Sequence, residues 1–187
     1  GAAGGAGGVP SYSLGLSGVL DTVSGPTDVW SQRTVDISSY GGATAYLVFE
    51  YLNGSSYTGD IQIDQISFGG NNYTFETTNE GFQTTSGNPA TYDAVSWVGL
   101  TTDVSGGGLF LRDSGGTTSV GTALTTGADG TTWYVYAETS SPANITDYKF
   151  WLRSPLVTLP ASPTLSYYEG RLGAGIGTLN VYLDVTE

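Results

Sequence analysis

The chain has 187 residues, 29 of them glycine, with a formal net charge of −12 and a pI near 4.1. It contains no cysteine and no histidine, which excludes thiolate chemistry, disulfides, Cys/His zinc sites and Ser-His-Asp triads. Its five cations, Arg33, Arg112, Lys149, Arg153 and Arg171, are scattered. They form no basic stripe to replace the counterions of a nucleic acid, and anionic membranes are disfavoured for the same reason.

The length suits a single domain with a large two-layer core. No hydrophobic stretch is long enough to span a bilayer, so no membrane insertion is expected, and no segment reads as a signal peptide. The chain opens on Gly1 rather than Met, which fits initiator removal, processing or a piece of a longer protein. Lysine occurs once, methionine is absent, and no window sustains apolar spacing at i, i+3, i+4, i+7. Ser, Thr, Tyr and Val are frequent, as in short strands joined by tight turns. The expected fold is all-β, an antiparallel β-sandwich or jelly roll with almost no helix.

Residues 1–8 (GAAGGAGG) read as a flexible Gly/Ala-rich arm, either a linker or a thread between neighbouring subunits. Residues 9–187 read as one sandwich. Tyr12 to Leu16 alternates as a short strand, Ser24 to Thr27 turns, and Trp30 to Ile37 is the next strand. Ala45 to Tyr51 alternates again, and Asn53 to Ser56 is a loop. The Gly59 to Phe68 strand then places Asp60, Gln62 and Asp64 on one face and Ile61, Ile63 and Gln65 on the other. Gly69 to Asn72 is the clearest internal boundary.

Beyond it come Tyr73 to Glu76, a polar loop to Tyr92, and strands at Val95 to Val98 and Leu109 to Arg112. Ser114 to Gly130 is a long Gly/Thr-rich loop, of a length that is usually functional or packed on a partner. Trp133 to Thr139, Lys149 to Ser154, Thr164 to Glu169 and Gly177 to Val185 complete about a dozen short strands.

Several of these segments together resemble the MAM domain, an extracellular jelly-roll interaction module. Phe75-Glu76, Asp129 to Thr139, Leu152-Arg153-Ser154-Pro155, Leu165 to Glu169 and Gly177 to Leu183 look like its opening run. Trp30 to Ile37, Ala45 to Tyr51 and Gly59 to Phe68 look like its closing run. In that family the opening run comes first. Here the halves 9–70 and 71–187 stand in exchanged order, which implies either an intact permuted domain or halves that complete a neighbour's sandwich. The cysteines typical of animal MAM domains are missing.

The pattern is also similar to repeated MAM-like modules in structural proteins of marine bacteriophages, notably those infecting cyanobacteria. Asp36 to Tyr40 leading to Ser56 to Asp60, and Tyr136 to Pro142 followed by Phe150 to Pro155, carry that likeness. The absence of cysteine is consistent with assembly in a bacterial cytosol. The resemblance implies a non-enzymatic virion structural protein, a capsid decoration or tail-associated subunit. Its partners would be copies of itself and other virion proteins. The alternative is an extracellular or cell-surface adhesin or filament subunit that binds glycans or proteins.

Against this stand four chemical readings. Asp60-x-Gln62-x-Asp64 invites comparison with laminarinase-like glycosidases, whose catalytic strand carries Glu, Asp and Glu on one face. Here Gln62 replaces the central acid, and Asp60 and Asp64 sit about 13 Å apart on a regular strand; no catalytic residue is assigned. Neighbouring strands in the MAM fold would bring Asp64, Glu76 and Asp129 together as candidate ligands of a structural Ca²⁺, although no compact DxDxDG loop is present. Trp30, Trp97, Trp133 and Trp151 are expected in the core or a subunit interface rather than in a sugar-stacking platform. Asn53, Asn72 and Asn144 head glycosylation sequons.

Overall fold

Alternation decides which side of each strand is buried. In β3 (Thr44–Leu52), Ala45, Leu47, Phe49 and Tyr51 point into the core, while Tyr46, Val48 and Glu50 point away. Leu179, Val181 and Leu183 do the same in β13 (Thr178–Thr186), and Phe150 and Leu152 in β10 (Lys149–Arg153). These residues build one sheet. A second sheet opposes them with Val35, Ile63, Ile66, Phe68, Val135, Leu165 and Tyr167. Two half-apolar layers can bury those faces only against each other.

The computed structural model of the protein describes residues 16–87, 97–102, 107–117, 119 and 121–186. Among them, the first sheet has the order β1 (Asp21–Ser24), β13, β3, β10, β6 (Gln83–Gly87), β7 (Val98–Gly99), with β11 (Val157–Thr158) also on β3. The second has the order β2 (Trp30–Val35), β12 (Leu165–Gly170), β4 (Gln62–Phe68), β9 (Trp133–Ala137), β8 (Phe110–Ser114), with β5 (Asn71–Tyr73) also on β4. Every pairing is antiparallel. The helical residues described are two three-residue 3-10 turns, Ser38–Tyr40 and Ala128–Gly130. The expected all-β sandwich is what the chain forms.

The strands at Gln62–Phe68 and Thr178–Thr186 take opposite layers. β13 lies between β1 and β3, and β4 lies between β12 and β9, so each sheet contains strands from both sides of Gly69-Gly70. The expected boundary is itself a hairpin turn. Gly69 (φ 58) and Gly70 (φ 89) link β4 to β5, with Phe68 opposite Asn71. Two successive positive φ values are what a two-residue hairpin requires, and glycine adopts them without steric penalty.

The predicted faces of the 59–68 segment hold as far as Asp64 and then reverse. Ile61 and Ile63 are core residues, but so are Ile66 and Phe68, an odd step away. Gln65 absorbs the extra residue at φ 47, and the pairing with β12 shifts between Ser166 and Tyr168. This bulge takes Gln65 out of the isoleucine face and lets both ends of the strand bury apolar side chains.

Among the described residues, β1, β6 and β11 were not expected, and β5 begins at Asn71, inside the expected boundary. β6 is polar throughout, yet Thr84, Thr85 and Ser86 are buried. Thr84 Oγ1 donates to the Trp151 carbonyl at 2.8 Å and accepts the Phe110 N–H at 3.1 Å, tying the first sheet to β8 of the second. A second tie is Tyr51. Its hydroxyl donates to Gly59 O at 2.6 Å and accepts Gly177 N–H at 3.0 Å inside the core. Tyr51→Phe removes both bonds with little change in shape and is expected to lower unfolding free energy by about 1–2 kcal/mol in a denaturant titration. A loss under about 0.3 kcal/mol would show that Gly59 and Gly177 find other partners.

Candidate functional site

The outer face of the second sheet carries the acidic strand, and the long loop folds over it. The described residues between 115 and 131 form a strap whose anchors come from the sheet. Gln62 accepts the Leu124 N–H at 2.8 Å through Oε1 and donates from Nε2 to the Leu124 carbonyl, also at 2.8 Å. Asp64 Oδ2 accepts the Ala128 N–H at 2.8 Å, and the Thr131 hydroxyl lies 3.0 Å from it. The Thr122 hydroxyl lies 3.3 Å from Asp60 Oδ2, and Trp30 Nε1 donates to Thr126 O at 3.0 Å. Tyr134 donates its hydroxyl proton to the Gly115 carbonyl. The strap therefore packs on its own sheet; Thr118 and Val120 within it lie outside the described residues.

Gly127 lets the strap descend this far. A Cβ at that position would meet the Trp133 carbonyl oxygen at 2.8 Å and Asp64 Oδ2 at 2.9 Å. Those are distances that real Cβ contacts do not show, so any side chain there would lift the strap from Asp64.

Asp60, Gln62 and Asp64 share a face, as the alternation predicted, but that face is sealed. All three residues have 0% exposure. Asp60 Oδ1 accepts the Thr139 N–H at 2.9 Å and the Thr139 hydroxyl at 2.7 Å. Glu138 accepts the Tyr136 hydroxyl at 2.8 Å and the Ser140 N–H at 3.0 Å. Burial, with Glu138 as an added negative neighbour, pushes Asp60 up to about 6 against the pull of its Thr139 bonds. Burial pushes Asp64 up to about 7, opposed by the Ala128, Gln65 and Thr131 donors. A glycosidase pair also has perturbed carboxyls, but it flanks an open cleft that admits the sugar bond. These carboxyls face a loop.

The three candidate calcium ligands meet at one turn in different roles. Asp64 holds Ala128 from one side. Glu76 holds the other side, its Oε1 accepting Thr132 N–H at 3.1 Å and Trp133 N–H at 2.8 Å. Asp129 is exposed at the tip, with φ 52. Among the described residues, no group of three or more acidic side chains is arranged to hold a metal ion. The oxygens of Asp64 and Glu76 instead face N–H donors, which a cation would have to displace. Millimolar Ca²⁺ is therefore expected to leave the melting midpoint unchanged; a concentration-dependent rise in Tm would restore a cation to this turn.

The tryptophans do not converge. Trp30 lies on the outer face of the second sheet, edge-on to Tyr134 at 6.2 Å. Trp133 borders the inter-sheet core, with the Arg112 guanidinium 3.8 Å from its ring centroid. Trp151 and Trp97 belong to a cluster on the outer face of the first sheet with Tyr46, Val48 and Tyr182. The Arg153 guanidinium there sits 4.3 Å from Trp97 and 4.6 Å from Tyr46. Of the four, Trp133 borders the central core and Trp151 is buried in the outer-face cluster, while Trp30 and Trp97 are partly buried on outer faces.

Of the sequons, Asn53 is buried and spends its amide on Ser56 O and Ala143 O, whereas Asn72 and Asn144 are exposed.

Sequence reasoning missed one cluster and one role. Asp21 receives the Arg33 guanidinium at 2.6 Å and the Tyr167 hydroxyl at 2.9 Å, bolting β1 of one sheet to β2 and β12 of the other. Nothing in local sequence links positions 21, 33 and 167. By comparison with a glycosidase strand, Gln62 is only a missing acid. A side-chain amide can both donate and accept, so a glutamine between two aspartates, in a chain with a long Gly/Thr-rich loop, was the available signal for a backbone clamp. No protein-family model matches the chain, and no solved structure matches it.

Proposed function

We propose that the protein is a non-enzymatic structural subunit of a virion, a capsid decoration or tail-associated protein. It works through β-sandwich contacts with copies of itself and with other virion proteins. The observation that carries this reading is the sealed acidic face: the groups best suited to chemistry are consumed in holding the strap. The resemblance to phage modules of Asp36 to Tyr40 with Ser56 to Asp60, and of Tyr136 to Pro142 with Phe150 to Pro155, supplies the setting. The acidic surface suits a particle that must stay dispersed. Quantitative mass spectrometry and antibody labelling of purified particles test the reading. Many copies per particle, stable to extensive washing, are expected; absence from particles overturns it.

The second reading is an extracellular adhesin. What favours it is the cluster of Trp97, Tyr46, Arg153 and Trp151 on an outer sheet face, since aromatic and cationic groups side by side suit glycan contacts. Glycan-array binding that disappears in Trp97→Ala would select it over the virion.

A further inference from the structure

The second sheet ends in an open groove. Among the described residues β2 pairs with β12 on one side and with no strand on the other, so alternate N–H and C=O groups of Trp30–Val35 face outward. Beside its last residues lies a cavity of ≈ 480 Å³. Val35, Ile37 and Leu165, all core residues, line it together with Pro163, and the exposed Thr34 and Ser162 stand at its rim. The apolar floor is nearly covered, with Val35 6% and Ile37 and Leu165 1% exposed, so the unpaired strand edge beside it is the main feature open to a partner.

The root of the N-terminal segment lies at the same corner. Leu16 bridges to Asp184, which pairs with Tyr46 near the start of β3. The wall of the groove starts from that same end, because Leu159 N–H donates to Ala43 O at 2.7 Å and the chain then runs directly to Leu165. The Asp21–Arg33 ion pair holds β1 over β2 along this side. Between Leu20 and Leu16 the backbone follows β13 toward its end, with Leu20 N–H on Val181 O at 2.8 Å and Ser17 N–H on Leu183 O at 2.7 Å.

We propose that this groove receives residues 9–15 of a second copy of the chain, laid along β2 as an added strand. The inference rests on the self-assembling reading above. In Val9-Pro10-Ser11-Tyr12-Ser13-Leu14-Gly15, Tyr12 and Leu14 share one face and Ser11 and Ser13 the other, the period an added strand needs. Residues 1–15 carry no charged side chain, so the arm meets a molecule of net charge −12 without added side-chain repulsion. Leu16, the first described residue, is bridged to β13 of the first sheet, whereas the open β2 edge belongs to the second, so the arm's root is not paired to the edge it would fill in its own molecule. Fully extended, 15 residues span about 50 Å, enough to bridge two sandwiches end to end.

Light scattering across a concentration series tests this on the full chain, on the chain lacking residues 1–14, and on Ser162→Trp, which fills the groove from an exposed rim position. The full chain is expected to gain mass with concentration. Both variants should stay monomeric over a range at least about tenfold wider, with unchanged melting midpoints. A peptide of residues 8–15 should bind the truncated chain but not Ser162→Trp. If Ser162→Trp does not fold, truncation and peptide binding decide. Truncated chain that keeps the full chain's mass overturns the inference and leaves self-assembly standing through another surface. A monomeric full chain at every concentration overturns both. A monomeric full chain whose truncated form still binds the peptide assigns the groove to the chain's own arm.

Discussion

Gln62→Ala is expected to lower unfolding free energy by about 2–4 kcal/mol and to make residues 115–131 the first site of proteolytic cleavage. The magnitude follows from what is left behind. Leu124 loses the acceptor for its N–H and the donor to its carbonyl together. Each buried backbone group without a partner costs about 1–3 kcal/mol, and water reaching the gap recovers part of that. For a chain of this size the loss reads as a fall of roughly 5–15 °C in Tm. Gln62→Glu is the informative companion. It retains an acceptor for the Leu124 N–H but loses the donor, and it places a third carboxylate on a strand face that already holds Asp60 and Asp64. A melt followed by limited proteolysis and mass spectrometry reads both effects. If Gln62→Ala stays within about 0.5 kcal/mol of the parent and cleavage begins elsewhere, the strap is not held by this residue.

Stability is also expected to fall as pH rises from about 4 through 7. Asp60 and Asp64 start from an ordinary value of 3.8 and are pushed up to about 6 and about 7 in the folded protein, chiefly by burial. The folded chain therefore holds protons that the unfolded chain has released, and within that window each rise in pH favours unfolding. Above about 7 both states are ionised at these positions and the loss levels off; the total is on the order of a few kcal/mol. Asp21 works in the opposite sense. Burial alone would raise it, but the Arg33 and Tyr167 bonds hold it below the usual carboxylate value. Its contribution is present above 3.8 and is lost as pH falls through its lowered value. Maximum stability should thus lie at mildly acidic pH. Denaturant titrations at pH 4.5, 6 and 8 check the slope. Asp64→Asn should flatten it between pH 5 and 7; an unchanged slope in that variant would assign the titration to another group.

The sandwich was legible because most strands carry clean alternation. β3, β10, β12 and β13 fall within a residue or two of their predicted ends, since each has a core-facing set of residues that only one register can bury; β9, aromatic and buried on both faces, was marked by its composition instead. β6 was invisible for the opposite reason. Gln83-Thr84-Thr85-Ser86-Gly87 has no apolar face, and its burial is sustained by a threonine hydroxyl bridging two strands that are distant in sequence. The shift at Gln65 was equally hidden, because a bulge shows only when both ends of a strand must reach the same core. At the candidate site, the common face of Asp60, Gln62 and Asp64 was readable from spacing alone. What opposes that face was not, because their strap partners at Leu124 and Ala128 are backbone groups, which leave no trace in residue identity.

Backbone anchoring governs how the strap can change. The sheet grips it mainly by main-chain atoms: the amide and carbonyl of Leu124, the amide of Ala128, and the carbonyls of Gly115 and Thr126. Thr125, Thr126 and Asp129 are exposed and contribute no side chain to those anchors. Length and the glycine at 127 are therefore constrained, whereas the outward lettering is not. The strap is a mount on which new surface chemistry can be written by substitution without loosening the fold that carries it.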